Sequence, residues 1–375
     1  MRYDEIRTPS YIVSEKALRK NLEILKYVEE TSGARILLAQ KAFSMFRVYP
    51  LIGKYLSGTT SSGIFEARLA HEEMKGRENH VFEPAYKDDE MEEIFKICDH
   101  VYFNSMSQFE RHIPVIRKHS DVKVALRINP EFSTQEGHEI YDPCSPSSRL
   151  GIRLKDMPEK LPSEVTGLHF HTLCEQGFEP LCKTFSVVEK NFKEYLKQIK
   201  FINLGGGHHI TKEGYDVEGL IKLVRYIRQE YGLEVYLEPG EAIALDAGTL
   251  VTEVMDIVDT GDIKTLILDA SAACHMPDVL EMPYTPPLID SDDDGVKYRL
   301  ASRTCLAGDV IGVYGLKKAP SVGDRLTFGD MAIYSMVKNN TFNGMPLPDI
   351  VLEKEDGDFE LVRRFDYSDF KERLS

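Results

Sequence analysis

No run in this sequence is apolar for long enough to cross a bilayer, and the opening residues, MRYDEIRTPSYIV, lack the apolar core of a secretory leader. No membrane partner is expected, and a cytoplasmic location is. Cysteine is sparse: Cys98, Cys144, Cys174, Cys182, Cys274 and Cys305 are scattered, with no C-x-x-C pair and no zinc-like spacing. A disulfide framework and a metal site are both excluded as organising principles. Positive charge is short as well, 46 Lys and Arg against 61 Asp and Glu, for a net charge of −15. That balance disfavours nucleic acid and anionic membranes and leans weakly toward a cationic ligand. Low-complexity tracts and internal repeats are missing too. What remains is a folded chain of 375 residues, 42% hydrophobic and 29% charged, long enough for two domains or for a barrel with an appended domain.

From about residue 35 to 240, short apolar runs alternate with segments of helical period, the pattern of a parallel α/β sheet. The runs are RILLAQ (35–40), GTTSS (58–62), HVFEP (80–84), HVYFN (100–104), KVALRINP (123–130), TGLHFHT (166–172), KFINLGGG (200–207) and LEVYLEPG (233–240). Eight such units over about 200 residues match a (β/α)8 TIM barrel, expected over 33–245. Residues 131–148 interrupt the pattern with a long polar loop, either a lid or a mobile connection. After residue 246 the alternation gives way to β-rich runs, TLVTEVMDIV, TLILDA, KYRLASR, DVIGVYG, RLTFG and MAIYSMVK. A C-terminal β domain over 246–375 is expected, with residues 1–32 contributing TPSYIVS as an extra strand.

In a barrel, chemistry gathers at the C-terminal ends of the strands. Those ends carry Lys41, Ser62, Glu83, Asn104, Arg127, His171, the glycines 205–207 and Glu238. A lysine that closes an apolar strand is either a solvated end or a functional amine. The NLGGGHHI loop after strand seven is either a structural turn or a phosphate cradle, and its two histidines are either ligands or solvated. Period-two alternation sends His169 and His171 to one side of strand six, where an imidazole can stack on a flat ring. Glu238, as a buried carboxylate, needs a cationic partner, and a protonated pyridine nitrogen is one. Amine, ring-facing histidine, glycine loop and carboxylate on one rim together match pyridoxal phosphate.

The blocks TPSYIV, LLAQKAF, TSSGIFEA, SRLGI, LHFHTLCEQ, NLGGG, EPGEA, CLAGDV and KNNTFNG run in order along nearly the whole chain. In them the sequence resembles the fold-type III pyridoxal-phosphate decarboxylases, specifically those that act on carboxylated polyamines. The resemblance implies a barrel with a C-terminal β domain and a homodimer with shared active sites. It implies Lys41 as the Schiff-base lysine, His171 as the ring-stacking residue and Cys174 near the phosphate. Gly205, Gly206 and Gly207 become the phosphate loop, Glu238 the pyridinium partner and Arg127 a residue beside the cofactor. In the β domain, Cys305 and Asp309 match a cysteine motif contributed across a dimer interface, with Cys305 as general acid and Asp309 as a substrate-binding residue, and Tyr334 matches a phosphate-contacting tyrosine.

Departures from the wider group narrow the substrate. Glu241 stands where an arginine commonly follows EPG, and Leu306 where ornithine-type enzymes have an acid. Asp278 and Glu281 lie where diaminopimelate-type enzymes need arginines. With Glu241, these acids suit the ammonium groups of a long polyamine, and polyamine biosynthesis is the expected setting. The rival expectations are a diaminopimelate or basic amino-acid decarboxylase, a racemase on the same fold, and a non-catalytic cofactor-binding regulatory protein. The sequence assigns no role to Gln40, beside the lysine.

Overall fold

The computed structural model describes residues 1–136, 139–289 and 291–375. Two compact units divide the chain: Asn21–Ile243, and Met1–Lys20 together with Ala244–Ser375. The expected barrel start at 33 thus lies inside the first unit. The helix Glu15–Ser32 is continuous across the division, and its second half falls with the barrel.

Among the described residues, ten strands precede residue 240: β1 (Ser10–Ser14), β2 (Arg35–Ala39), β3 (Gly58–Ser61), β4 (Glu78–Phe82), β5 (His100–Phe103), β6 (Lys123–Asn129), β7 (Ile152–Arg153), β8 (Val165–His169), β9 (Phe201–Asn203) and β10 (Glu234–Leu237). β2 through β6 pair in parallel, β6 continues to β8, β9 and β10, and β10 returns to β2, which closes an eight-stranded barrel. Every one of the eight apolar runs overlaps a barrel strand. β7 is an addition, a two-residue strand paired outside the ring on β6.

Intervening helices bury one stripe each. Val217–Tyr231 starts at the Asp216 side chain, which accepts from Gly219 N–H, and buries Leu220, Ile221, Val224 and Ile227 at helical spacing. It stops at Gly232, whose φ of 68° is left-handed. The barrel interior is filled by Leu37, Tyr102, Ala125, Phe201 and Tyr236, all fully buried, and each large side chain there contributes about 1.5–3 kcal/mol.

Of the 131–148 loop, Gly137 and His138 lie outside the described residues. A reciprocal pair of hydrogen bonds ties its first part to the barrel: Thr134 Oγ1 donates to Gln176 Oε1 at 2.8 Å, and Gln176 Nε2 donates to Thr134 O at 2.7 Å.

The second unit contains β1, β11 (Gly248–Asp259), β12 (Lys264–Leu268), β13 (Ser291–Ser302), β14 (Val310–Leu316), β15 (Arg325–Phe328), β16 (Asp349–Glu353) and β17 (Phe359–Arg363). They form one sheet in the order β14-β13-β12-β11-β1-β16-β17, with β15 also on β11. TPSYIVS supplies its expected strand: β1 runs antiparallel to β11 and parallel to β16. MAIYSMVK departs from expectation. Residues 331–338 form turns instead of a strand, with Tyr334 at a left-handed φ of 52° that no strand accommodates. The β16–β17 hairpin was not anticipated from the sequence. Among the described residues no helix is long and apolar enough to cross a membrane.

Candidate active site

The barrel unit gathers its candidates at the C-terminal mouth. Lys41 lies two residues past the end of β2, accessible to solvent from the mouth yet ringed by protein. That protein surround, with the Arg127 guanidinium, pulls its pKa below the ordinary lysine value, while Glu238, Cys174 and Glu241 oppose the shift. These side chains are therefore close enough to sense one another's charge. Glu66 belongs with them: burial raises its carboxyl and Lys41 counters that.

Gln40, unassigned in the sequence, is a buried hub at 0% exposure. Its Nε2 donates to Ser61 Oγ and to Glu66 O, both at 2.8 Å, and its Oε1 accepts from Tyr49 Oη at 2.8 Å. The end of β2 is thereby fastened to the end of β3 and to the helix Ile64–Glu73. A glutamine before the lysine was the only sign of this in the sequence.

Glu238 is buried, and its carboxylate accepts from Asn203 Nδ2 at 2.7 Å and from His169 Nε2 at 3.2 Å. Burial alone raises a carboxyl, but the imidazoles of His169 and His171 with the Asn203 amide outweigh it and hold Glu238 well below the usual carboxylate range. Burial in turn lowers the pKa of both histidines. His171 Nδ1 accepts from Gly206 N–H at 2.9 Å, which leaves its proton on Nε2. Arg127 is buried, donates from Nη2 to His171 O at 3.0 Å, and stacks 4.5 Å from the Phe82 ring centre. Burial lowers even its guanidinium pKa, to about 10.

The glycine loop has a structural requirement of its own. Gly205 and Gly207 are left-handed at φ 71° and 80°, and a Cβ on Gly206 would sit 1.9 Å from Glu238 O. Gly205 N–H donates to Asn203 Oδ1 at 2.9 Å, so two of the three amides already face protein acceptors. The following histidines are buried, neither of them solvated as loop histidines commonly are: His208 Nδ1 meets Tyr215 Oη at 2.7 Å, and His209 Nε2 meets Glu241 Oε2 at 2.7 Å. Cys174 is half-buried beside Lys41.

The sheet unit brings its own candidates together by a separate set of contacts. Asp309 is 2% exposed, and its carboxylate accepts from Ser271 Oγ and Thr304 Oγ1 at 2.6 Å and from Ala273 N–H at 3.1 Å. Asp309 was expected to bind substrate, but its acceptors are turned inward on the Cys305 loop. Cys305 is exposed, with its backbone N–H donating to Asn343 Oδ1 at 3.0 Å. Asn340 Nδ2 donates to Ala273 O at 2.8 Å, joining the same cluster to the segment that carries Tyr334. Asp278 and Glu281, on the short helix Asp278–Glu281, both accept from the ammonium of Lys338.

Comparison with known proteins gives the family. The family model described as pyridoxal-dependent decarboxylase, C-terminal sheet domain, matches residues 10–332. A carboxynorspermidine/carboxyspermidine decarboxylase of Campylobacter jejuni is 42% identical, covering all of both chains. A carboxyaminopropylagmatine decarboxylase of Synechocystis is 40% identical over all of this chain and 97% of that one. Among solved structures, carboxynorspermidine decarboxylase of Campylobacter jejuni complexed with norspermidine superposes with a TM-score of 0.92 at 40% identity, covering 98% of this chain and 100% of that one. Diaminopimelate decarboxylase of Helicobacter pylori, at 18% identity and a TM-score of 0.87 over 99% and 98% of the two chains, shares the fold. With a barrel bearing lysine, histidine, glycine loop and glutamate on successive strand ends, and a sheet domain bearing the cysteine motif, the chain belongs to the pyridoxal-dependent decarboxylases with a C-terminal sheet domain.

Proposed function

We propose that this enzyme decarboxylates carboxynorspermidine and carboxyspermidine to norspermidine and spermidine, in polyamine biosynthesis, as a cytoplasmic homodimer with shared active sites. The observation in the fold that carries the substrate reading is the grip of Asp278 and Glu281 on the Lys338 ammonium. Two carboxylates on one short helix already hold an alkylammonium, the group a polyamine repeats along its length. Full-length identity to an enzyme named for these substrates supports the same reading.

The residues fit the family's cofactor, pyridoxal phosphate. Lys41 has the depressed pKa a linking amine needs, Glu238 is an ionised carboxylate suited to a protonated ring nitrogen, and the left-handed glycines let backbone approach a phosphate. When bound, the cofactor supplies an electron sink for the pair left behind as carbon dioxide departs. The protein's part is positional and electrostatic. Glu238 would hold a proton at the ring nitrogen, His171 would pack on the ring, and Arg127 and Cys174 would line the site. Tyr334 joins the phosphate contacts, and its left-handed backbone is the kind of strain that accompanies functional positions. The Cys305 thiol, exposed and supplied by a second copy of the chain, returns a proton to the former α-carbon. Asp309 acts through the Cys305 loop, and Glu241 through its pairing with His209.

A second reading is favoured by the 40% identity to the Synechocystis enzyme: a carboxylated polyamine ending in guanidinium. Carbon dioxide release from carboxynorspermidine, carboxyspermidine, carboxyaminopropylagmatine and meso-diaminopimelate distinguishes these readings, with Lys41→Ala as control. Highest kcat/KM on the first two supports the proposal, and highest kcat/KM on diaminopimelate refutes it. Isotope exchange without carbon dioxide release would indicate a racemase. Shared sites are tested by mixing inactive Lys41→Ala and Cys305→Ala subunits, which should restore about a quarter of wild-type activity if each site draws on two chains.

A further inference from the structure

A line of side-chain hydrogen bonds runs through the barrel interior from Glu238 to the opposite rim. Asn203 Nδ2 donates to Glu238 Oε1 at 2.7 Å and also to Tyr102 Oη at 3.1 Å. Tyr102 Oη lies 2.7 Å from His80 Nδ1, His80 Nε2 lies 3.0 Å from Glu78 Oε2, and Glu78 Oε1 meets Arg35 Nη2 at 2.7 Å. Asn203, Tyr102 and His80 are each 0% exposed, while Arg35 and Glu78 open the N-terminal ends of β2 and β4.

The donor directions are fixed by chemistry. Glu78 accepts, so His80 carries its proton on Nε2, Nδ1 is an acceptor, and the single Tyr102 proton points to it. The Tyr102 oxygen is then left to accept from Asn203. The Asn203 amide cannot be reversed, because its oxygen would face the Glu238 carboxylate and its NH2 would face Gly205 N–H. Both protons of that NH2 point outward, one each way, so the line is interrupted as a proton path at Asn203. A metal reading fails as well. Glu78, His80 and His100 offer ligand atoms within 4.8 Å of one another, but the two imidazoles stack at 3.8 Å with planes 10° apart, and their lone pairs run parallel without converging.

We propose that Tyr102, His80 and Glu78 form a positioning spine that fixes the Asn203 amide and, through it, the Glu238 carboxylate and the glycine loop together. Asn203 is the junction: Nδ2 aims at the group facing the ring nitrogen, and Oδ1 holds Gly205 of the phosphate loop. The inference rests on the reading of Glu238 as the ring-nitrogen partner.

The test uses the holoenzyme and its visible cofactor band. Tyr102→Phe keeps the ring and deletes both hydrogen bonds. It should move the pH midpoint of the band by about one unit and weaken pyridoxal phosphate binding about tenfold; a general loss of stability alone would not shift the midpoint. Glu78→Gln, at the partly exposed far end, should move the midpoint the same way by less, and it serves if Tyr102→Phe does not fold. Glu238→Gln is the control. If it leaves midpoint and affinity at wild-type values, the underlying reading of Glu238 fails. If it moves them while Tyr102→Phe and Glu78→Gln do not, the spine is overturned.

Discussion

Replacing Gln40 with leucine is the perturbation whose cost follows most directly from the contacts. The substitution roughly preserves volume, so cavity formation is a minor contribution. What it removes is three hydrogen bonds, to Ser61 Oγ, Glu66 O and Tyr49 Oη. Their consequences differ. Ser61 Oγ keeps a weak contact with Asn79 Oδ1 at 3.4 Å, whereas the fully buried Tyr49 hydroxyl loses the acceptor it points to and is left with Ser44 as its side-chain partner. At about 1–3 kcal/mol for each buried polar group left unsatisfied, Gln40→Leu should cost about 3 kcal/mol. Urea unfolding followed by far-ultraviolet circular dichroism measures it, with the slope held against wild type. The double variant Gln40→Leu/Tyr49→Phe removes the hydroxyl that has lost this acceptor and should recover about 1 kcal/mol. The reasoning is refuted if the single variant falls within about 0.5 kcal/mol of wild type, or if the double variant is the less stable of the two. Because Gln40 precedes Lys41, the single variant should also lose kcat.

Acid should destabilise the protein before its carboxylates titrate. Burial holds His80 and His208 at about 3 and His275 at about 4, so the native state refuses protons that the unfolded chain accepts below about 6.5. Their contribution is complete above pH 6.5 and fades as pH falls toward those native values, by about 1.4 kcal/mol per unit per histidine; urea midpoints at pH 7.5, 6 and 5 should fall steadily, and a flat profile contradicts the assignment. Asp309→Asn should lower kcat at least tenfold by loosening the Cys305 loop, by the estimate for a displaced general acid, while the visible band of the bound cofactor stays as in wild type. Lys338→Met removes the ammonium that competes for Asp278 and Glu281, so KM for polyamine substrates should fall roughly two- to fivefold, the scale of a half-exposed ion pair. A rise in KM would assign Lys338 to holding the acids in place instead.

The barrel was readable because each strand is a short apolar run bounded by turn residues, and because closure forces the strand ends onto one rim. Lys41, Arg127, His171 and Glu238 followed from that rule. Asn203, Tyr102 and His80 did not, because a single polar residue in an apolar strand looks alike in sequence whether it is bonded to its neighbours or facing solvent. Gln40 and Glu66 escaped for a related reason: their partners lie on adjacent strands and helices, and pairing across a barrel is invisible in a linear pattern. MAIYSMVK was misread because its apolar and aromatic content suits a strand, while the left-handed turn at Tyr334 depends on tertiary contacts. Asp309 departs from its expected substrate-binding role because Ser271, Ala273 and Thr304 all donate to its carboxylate from within the same unit, and none of these partners is signalled by the linear motif.

The placement of β1 also bears on how the chain assembles. It lies between β11 and β16, yet it is translated ahead of the entire barrel, and its partners follow after. The barrel can close on the ribosome while β1 waits as an unpaired, largely apolar strand, since its neighbours are the most sequence-distant contacts in the sheet. Completion of the second unit is thus tied to completion of the chain: a product that stops before β16 keeps its barrel but leaves one side of β1 open, an exposed edge of the kind that proteases and chaperones recognise.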